Sequence, residues 1–222
     1  LRSDVPIAAD AKLAAASLDA ALGETRKTGD GAARAKAVRE KVTAGLWPAC
    51  RTHGRLMEIV TRALPDATVA GDQTEPVYAV NQFYQAPQVR SFFNSSTGYG
   101  TLGYGLPAAF GAKLGAPDRP SVCLIGDGGL QFSVQELASA VEAGIATAVV
   151  IWNNTSYGEI KAFMAERDIP QIGVDIFTPD FVGLAKALGC EASRPNSLAE
   201  LEAELTASAT RKVPTVIEIK AG

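Results

Sequence analysis

Two continuous apolar runs constrain the fold of this chain more than any other feature. They are SVCLIG at 121–126 and TAVVIW at 147–152, and a helical pattern lies between them at 133–143. A strand that is apolar at every position is buried on both of its faces, as happens in a parallel sheet that helices cover on both sides. The runs therefore predict an α/β fold, doubly wound, with a mostly parallel sheet and helices on both faces.

The rest of the chain alternates between the same two patterns. Thr178-Pro179-Asp180 predicts a helix start with Thr178 as the N-cap. The stretch 31–45 is either a solvated helix or a linker. Further helices are predicted at 10–22, 54–64, 76–85, 106–115 and 198–208, and further strands at 67–70, 89–93 and 215–219.

The composition fits a chain that buries a core and has no polyanionic partner. Of its 222 residues 47% are apolar and 20% are charged, with a net charge of −3 and no run of Lys or Arg. We therefore expect neither nucleic acid nor a membrane surface as a partner. Apolar runs fall short of the ~20 residues of a spanning helix and the N-terminus lacks a signal pattern, so we expect a cytoplasmic protein. Three widely spaced cysteines and one histidine predict reduced thiols and no structural zinc.

Small and polar residues follow both apolar runs, where the carboxyl ends of neighbouring parallel strands face a common point. Gly126-Asp127-Gly128 ends the first run and Asn153-Asn154 ends the second. A carboxylate with amide and carbonyl oxygens suits Mg²⁺, which keeps positions for a diphosphate and water. Glycines beside Asp127 let backbone N–H groups approach phosphate oxygens. Together the motifs predict a diphosphate bridged to the protein by a metal, whereas each motif alone is a common turn or cap.

The same stretch resembles the thiamine-diphosphate signature, in which Gly-Asp-Gly is followed at a similar spacing by Asn-Asn. Here 24 residues lie between Gly128 and Asn153. The block SSTGYGTLGYGLPAAFGAKLGAPDRP at 95–120 is similar to the segment that precedes this signature in acetolactate synthases and 2-oxo acid decarboxylases. The chain is thereby identified as a member of the thiamine-diphosphate-dependent enzyme family.

The resemblance implies thiamine diphosphate and Mg²⁺ as cofactors. It assigns Mg²⁺ to the Asp127 carboxylate, the Asn154 side-chain oxygen and the Ser156 backbone carbonyl. Leu102 matches the large apolar residue that props the cofactor into its bent form, and packing in the core is the alternative for it. Once active, the thiazolium accepts the electrons released as CO₂ leaves a 2-oxo acid substrate. The other positions that the resemblance places against the cofactor are Gln73, Thr74, Gly100, Gly126, Gly128, Gly129, Tyr157 and Gly158.

The family activates the pyrimidine ring with a glutamate from a separate N-terminal domain, normally that of a partner subunit. No segment of this chain resembles that domain, so no catalytic residue is assigned within it, and a homo-oligomer, dimer or tetramer, is expected for the full-length protein. The opening residues resemble the end of the family's middle domain. We therefore expect 1–25 to be the tail of a middle domain, 26–50 a linker and 51–222 the cofactor-binding domain. We also expect the chain alone to release no CO₂ from 2-oxo acids.

The residues after Asn154 favour a 2-oxo acid decarboxylase over an acetolactate-synthase-like carboligase, which is the alternative reaction. The loop TSYGEIKAFM lacks the Leu-Gly-Met or Gln-Gly-Met, and the later Gln-Trp, that acetolactate synthases usually carry. If Glu159 in this loop faces the pocket, it suits a cationic substrate tail such as the guanidinium of 2-oxoarginine. The alternative is an exposed acid that a helix start favours.

Two hypotheses of other classes stand beside the enzyme. Gly98, Gly100 and Gly103 have the spacing of the dinucleotide fingerprint and suit a nucleotide-binding Rossmann-type module. The next strand, however, ends in Gly-Asp-Gly instead of the lone acid that such a module requires. The second hypothesis is a regulatory remnant without cofactor, and the presence of Asp127 and Asn154 argues against it.

Overall fold

The computed structural model describes residues 3–23 and 29–221. The chain forms two compact units, the first ending at Lys41 and the second beginning at Val42. Among the described residues, no helix is both long enough and apolar enough to cross a membrane.

The first unit is helical. Helix α1 spans Ala11–Leu22, and helix α2 spans Gly31–Ala44 and continues past the division between the units. Asp10 caps α1, because its carboxylate accepts hydrogen bonds from the backbone nitrogens of Lys12 and Leu13 at 3.0 and 3.1 Å. Neither helix contains a buried residue, so the stretch predicted as either a solvated helix or a linker is a solvated helix.

The second unit is built on a six-stranded sheet whose neighbouring strands are all parallel. The predicted α/β fold with a parallel sheet is therefore confirmed. The strands are β1 Thr68–Gly71, β2 Phe92–Asn94, β3 Ser121–Gly126, β4 Ala148–Asn153, β5 Glu191–Ser193 and β6 Thr215–Lys220, in the order β2-β1-β3-β4-β6-β5.

Helices cover both faces of this sheet, and a separate apolar core lies beneath each layer. Val69 and Leu124 enter the core under α3, α4 and α10, whereas Ala70 and Ile125 enter the core under α5, α7 and α9. This alternation is the period of two expected of strands buried on both faces. The helices are α3 Pro48–Ala63, α4 Glu75–Val80, α5 Gly105–Gly115, α6 Asp127–Gln131, α7 Glu136–Glu142, α8 Gly158–Ala165, α9 Phe181–Ala187 and α10 Leu198–Ser208.

Several local predictions differ from the structure. The helix predicted at 76–85 ends at Val80, and the helix predicted at 54–64 begins earlier, at Pro48. The N-cap of α9 is Asp180 instead of Thr178, and the Asp180 carboxylate makes no capping bond because it accepts a hydrogen bond from Arg194 at 3.1 Å. Strand β2 begins at Phe92, since Arg90 has a left-handed φ of +63° that interrupts the extended run predicted from residue 89. The helix predicted at 133–143 is confined to α7, and the short α6 precedes it.

The chain changes direction across the sheet at β1. Strand β2 lies on one side of β1 and β3 lies on the other, so the loops that follow β1 and β3 diverge at their carboxyl ends. Such a switch point opens the crevice in which doubly wound sheets bind ligands. Strand β4 is the other neighbour of β3, with Gly126 in register with Trp152. The two motifs expected to meet at this edge therefore do lie side by side.

Candidate functional site

A cavity of about 200 Å³ opens at this edge of the sheet. The loops that follow β1, β3 and β4 supply most of its wall, together with the turn that precedes α5. Every position predicted from the sequence to contact a metal or cofactor lines this one cavity: Gln73, Thr74, Gly100, Leu102, Gly126, Asp127, Gly128, Gly129, Asn154, Ser156, Tyr157 and Gly158. The sequence did not single out four other wall residues, Glu75, Tyr78, Trp152 and Ile160, as binding positions.

Asp127 has a buried carboxylate, and one of its two oxygens accepts no hydrogen bond from the described residues. It is the first residue of α6 and only 2% exposed. Its Oδ1 accepts a hydrogen bond from the backbone nitrogen of Gly128 at 2.9 Å, whereas its Oδ2 has no hydrogen-bond partner among the described residues. Burial raises the pKa of the Asp127 carboxyl, and hydrogen bonds from backbone N–H groups oppose that rise. A cation at Oδ2 would supply the missing partner, so the residue fits the metal expected here.

Asn154 turns its side-chain oxygen toward the loop that follows β4. Its Oδ1 accepts hydrogen bonds from the backbone nitrogen of Ser156 at 3.1 Å and from the Ser156 hydroxyl at 3.3 Å. Thr155, between the two, has a left-handed φ of +56°, which a residue other than glycine adopts only when its surroundings hold it there. The Asn-x-Ser turn is thus a constrained one.

A distant segment supplies part of that constraint. The backbone nitrogen of Ile176 donates to the Thr155 carbonyl at 3.1 Å, and that of Tyr157 donates to the Val174 carbonyl at 2.8 Å. Ser156 completes this short antiparallel contact by pairing with Asp175. Nothing in the sequence of 174–176 indicated that it would support the loop, because its pattern is neither that of a strand nor that of a helix.

The donor set favours a hard cation. Within residues 3–23 and 29–221, no three His, Cys, Asp or Glu side chains gather where a metal ion would fit. A metal bound by Asp127 at this edge would therefore draw on neutral oxygens, such as those of Asn154 and Ser156, besides its carboxylate. That arrangement suits Mg²⁺, which completes its coordination with phosphate oxygens and water.

Two glycines leave no room for a side chain in the cavity wall. A Cβ atom at Gly128 would stand 2.6 Å from Cε1 of Tyr157, and one at Gly158 would stand 2.6 Å from Nδ2 of Asn154. Real Cβ atoms do not approach other heavy atoms so closely. The wall is therefore lined by bare backbone at the positions where the sequence predicted diphosphate contacts.

Asp72 joins the loop after β1 to the start of α5. It is fully buried, and its carboxylate accepts hydrogen bonds from the backbone nitrogens of Gln73 at 2.8 Å and Gly105 at 2.7 Å. Burial raises the pKa of Asp72, and these backbone donors oppose the rise. Asp72 belongs to the loop 71–75, whose resemblance to the family's pyrimidine-contacting loop led us to expect cofactor contacts at Gln73 and Thr74. No role was predicted for Asp72 itself, although an acid directly after an apolar strand is the signal that picked out Asp127 after β3.

Leu102 and Gln73 lie on this second side of the cavity. Leu102 is half-buried and exposes part of its side chain to the cavity, which favours a ligand contact over the alternative of core packing. Gln73 donates from Nε2 to the Ser95 hydroxyl at 2.9 Å, and Ser95 in turn donates to the Thr101 carbonyl at 3.0 Å. The turn that carries Leu102 is thereby tied to the loop after β1.

A doubly wound parallel sheet with a cavity of this composition at its switch point defines a class of cofactor-binding protein. The model of the family described as "Thiamine pyrophosphate enzyme, C-terminal TPP binding domain" matches residues 72–219, well over half of the chain. The chain belongs to this family of thiamine pyrophosphate enzymes, whose cofactor is thiamine diphosphate, another name for the same compound. Mg²⁺ is the usual metal partner in the family. The family match argues against the alternative of a nucleotide-binding Rossmann-type module, which the glycine spacing had suggested.

Particular relatives narrow the resemblance. The chain is 41% identical to the probable 2-ketoarginine decarboxylase AruI of Pseudomonas aeruginosa over 199 residues, which are 89% of this chain and 35% of that protein. It is 32% identical to benzoylformate decarboxylase of the same organism, over 69% of this chain and 29% of that protein. The solved structure of a 4-hydroxybenzoylformate decarboxylase from Rhodococcus jostii superposes with a TM-score of 0.69 at 28% identity, over 77% of this chain and 32% of that one. The chain thus spans about a third of the length of these relatives.

Proposed function

We propose that this chain is the cofactor-binding part of a thiamine-diphosphate-dependent 2-oxo acid decarboxylase, in which Mg²⁺ ties the diphosphate to the protein. One observation carries the metal assignment: the buried Oδ2 of Asp127, in the wall that also contains Asn154 and Ser156, has no hydrogen-bond partner in the part of the chain that the structure describes. When bound, thiamine diphosphate supplies an electron sink for the electrons that decarboxylation releases. The protein contributes binding, orientation and a cavity closed to water on one side.

Each group of wall residues has its own task in this proposal. Asp127 binds the cation through its carboxylate, Asn154 through Oδ1 and Ser156 through its carbonyl. Bare backbone at 126, 128, 129 and 158, with Tyr157, contacts the diphosphate. Leu102 supports the bent cofactor, and Gln73, Thr74 and Gly100 border the pyrimidine.

A thermal-shift titration tests the binding proposal. We expect thiamine diphosphate to raise the melting temperature only when Mg²⁺ is present, and NAD without metal to have no effect. Asp127→Ala is expected to abolish the metal-dependent shift and to keep a cooperative melt, whereas Asp118→Ala, an exposed acid outside the cavity, is expected to keep the shift. If Asp127→Ala binds the cofactor as tightly as the parent, the metal site is wrong.

The proposed substrate is a 2-oxo acid with a cationic tail, such as 2-oxoarginine. Glu159 supports it, because this acid lines the cavity and forms no ion pair with the described residues. Glu159 is also exposed in the first turn of α8, as the alternative of an acid favoured by a helix start expects. Its charge reaches the interior: the pKa of Tyr78 is raised to about 12 by burial, by Glu159 and by Asp72. A guanidinium would form a charge-assisted pair with such a carboxylate. The similarity to the probable 2-ketoarginine decarboxylase of Pseudomonas aeruginosa supports the same substrate class.

Substrate competition tests the role of Glu159. In the complete protein that contains this chain, Glu159→Gln is expected to raise KM for a cationic 2-oxo acid and to leave KM for a neutral 2-oxo acid of similar length unchanged. Equal effects on both substrates would reject the pairing. Exclusive formation of a carboligation product from two 2-oxo acids would instead favour the acetolactate-synthase-like alternative, which is supported by 32% identity over 161 residues to an acetolactate synthase large subunit of Parasynechococcus marenigrum.

The remaining half of the active site is proposed to come from the N-terminal pyrimidine-binding domain of a partner subunit in a homo-oligomer. Exposed apolar side chains at the cavity rim support this, among them Ile160 in the wall itself and Tyr99 beside Gly100. We propose residues 1–25 as the end of a middle domain, 26–50 as a linker and 51–222 as the cofactor-binding domain. The purified chain alone is then expected to bind cofactor weakly and to release no CO₂ from any 2-oxo acid; robust release would reject the division of the active site. The cytoplasmic location expected from the sequence stays a prediction.

A further inference from the structure

Glu75, the first residue of α4, receives one hydrogen bond at each carboxylate oxygen in the cavity wall. Trp152 donates from its indole nitrogen to Oε2 at 2.9 Å. Asn154 donates from Nδ2 to Oε1 at 3.3 Å. Glu75 therefore links the start of α4 to the end of β4. In sequence, 79 positions separate it from Asn154.

This contact determines which way the Asn154 amide faces. The oxygen and nitrogen of an asparagine side chain lie in one plane on opposite sides of the Cβ–Cγ bond, so holding Nδ2 against Glu75 turns Oδ1 the other way. There Oδ1 accepts hydrogen bonds from the backbone nitrogen of Ser156 at 3.1 Å and from the Ser156 hydroxyl at 3.3 Å. A cation would take the lone pair that the longer of these bonds, from the hydroxyl, occupies.

The lack of a side chain at Gly158 leaves space for the hydrogen bond between Glu75 and Asn154. A Cβ atom at Gly158 would stand 2.6 Å from Nδ2 of Asn154 and 3.1 Å from Oε1 of Glu75, so a side chain at position 158 would press on both atoms of the hydrogen bond. Glycine at this position keeps the pair intact.

A carboxylate is the only side-chain group of this size that satisfies both donors. Glutamine has the same shape but offers one acceptor oxygen, and its amide nitrogen would face a second N–H donor from Trp152 or Asn154. The negative charge of Glu75 beside the proposed diphosphate site opposes anion binding. We therefore expect Glu75 to have a role in the site that offsets this unfavourable effect.

We propose that Glu75 is a positioning residue for the metal site, accepting a hydrogen bond from Asn154 Nδ2 so that Asn154 Oδ1 faces the cation. The inference rests on the proposed function, in which Asn154 is a metal ligand. Glu75 itself touches neither metal nor substrate in this role. Partners that orient metal ligands in this way typically contribute about 10-fold to 100-fold to metal affinity.

Reversing the polarity of the hydrogen bond gives a sharp test. In Glu75→Gln the glutamine oxygen is expected to accept from Trp152, because the indole N–H can only donate, which leaves the glutamine amide nitrogen facing Asn154. Rotating Asn154 to offer Oδ1 to that nitrogen sends Nδ2 toward the cation. Asn154→Asp places two carboxylates against each other. In Glu75→Gln/Asn154→Asp the new amide donates to one oxygen of the new carboxylate, and the other oxygen faces the cation with the net charge of the parent restored.

The measurement is the Mg²⁺ concentration that gives half of the melting-temperature shift at saturating thiamine diphosphate. We expect each single variant to need about 10-fold to 100-fold more Mg²⁺ than the parent, and the double variant to recover most of that loss. Glu142→Gln, which makes the same change at an exposed glutamate of α7 outside the cavity, is the matched control and is expected to keep the parent's Mg²⁺ dependence. Melts without Mg²⁺ and cofactor check folding.

The outcomes distinguish failure of the proposed function from failure of the positioning role alone. If the parent shows no Mg²⁺-dependent shift, the proposed function fails and the positioning role fails with it. If the parent responds and Glu75→Gln has the same Mg²⁺ dependence, the positioning role alone is wrong. Failure of the double variant to recover also rejects that role, because simple loss of charge or of stability at position 75 would persist in it.

Discussion

Asn153 donates a hydrogen bond from Nδ2 to Oε1 of Glu218 at 2.6 Å, and both side chains are buried. The Oδ1 of Asn153 accepts from the backbone nitrogen of Thr155 at 3.1 Å. Two asparagines that are adjacent in sequence thus face different surroundings, since Asn153 points into the protein and Asn154 lies at the cavity. The first supports the constrained loop in which the second is placed.

Removing that support is expected to weaken both the fold and the site. Asn153→Ala leaves an oxygen of Glu218 short of a donor and frees the Thr155 N–H, so we expect the free energy of unfolding to fall by about 1–3 kcal/mol. The Mg²⁺-dependent melting shift should fall as well, because the loop of Asn154 loses its anchor. Urea denaturation measures the first effect. Asn196→Ala, at an exposed position, is expected to change stability by about 0.5 kcal/mol or less; equal losses in the two variants would contradict the prediction.

Glu218 is expected to account for part of the decrease in the free energy of unfolding at acid pH. Burial favours a higher pKa for Glu218, but hydrogen bonds from Arg194, Asn153 and Lys220 hold its pKa below the ordinary value. A carboxyl whose pKa is lower in the folded state contributes stability that is complete above its unfolded pKa of about 4.3 and is lost as the pH falls through the folded value. The free energy of unfolding of the parent should therefore drop more steeply below about pH 4.3 than that of Glu218→Gln.

Denaturation curves at a series of acid pH values measure this difference. Glu202→Gln provides the comparison, because Glu202 also pairs with an arginine, Arg62, but at the surface. Pairing with Arg62 also lowers the pKa of Glu202, but solvent screens this exposed pair. The acid limb of Glu202→Gln should therefore lie closer to that of the parent than the acid limb of Glu218→Gln does. Parallel acid limbs for the parent and Glu218→Gln would refute the assignment.

The space around Gly128 is expected to be essential for ligand binding. Gly128→Ala forces the new Cβ against Tyr157, so the ring has to move and the cavity wall changes shape. We expect the cofactor-dependent melting shift to be lost. Gly111→Ala is the matched control: it lies in α5 with no atom within 4 Å of a new Cβ, and it should stabilise the chain by about 0.5–1 kcal/mol. A Gly128→Ala variant that still binds thiamine diphosphate would show that the wall adapts.

Two leucines four residues apart, Leu102 in the turn before α5 and Leu106 within α5, are expected to separate packing from ligand contact. Leu106→Ala removes a fully buried side chain and should lower the free energy of unfolding by about 2–5 kcal/mol. Leu102→Ala removes a half-buried one and should cost about 1 kcal/mol or less, yet weaken cofactor binding. Equilibrium unfolding and cofactor titration on both variants test this, and a loss of stability at Leu102 as large as that at Leu106 would restore the core-packing alternative.

The regular elements followed from local patterns because their signals are local. The apolar runs of β3 and β4 and the caps of the helices depend on neighbours within a few residues. Strand β5 escaped prediction because its three residues, two of them half-buried, owe their extended form to pairing with β6. Helix α6 escaped because two glycines in five residues suppress the helical signal.

The sequence by itself determined the α/β architecture, the cofactor family and the twelve positions that share one cavity, since strand ends and short motifs are written in contiguous residues. Only the tertiary structure decided how those positions are held: Glu75 reaches Asn154 across 79 positions, and Glu218 reaches Asn153 across 65. No periodicity or motif connects such residues, because the contacts arise from the order in which parallel strands assemble. The proposed metal ligands could therefore be identified from local sequence, whereas their orientation depends on the folded sheet.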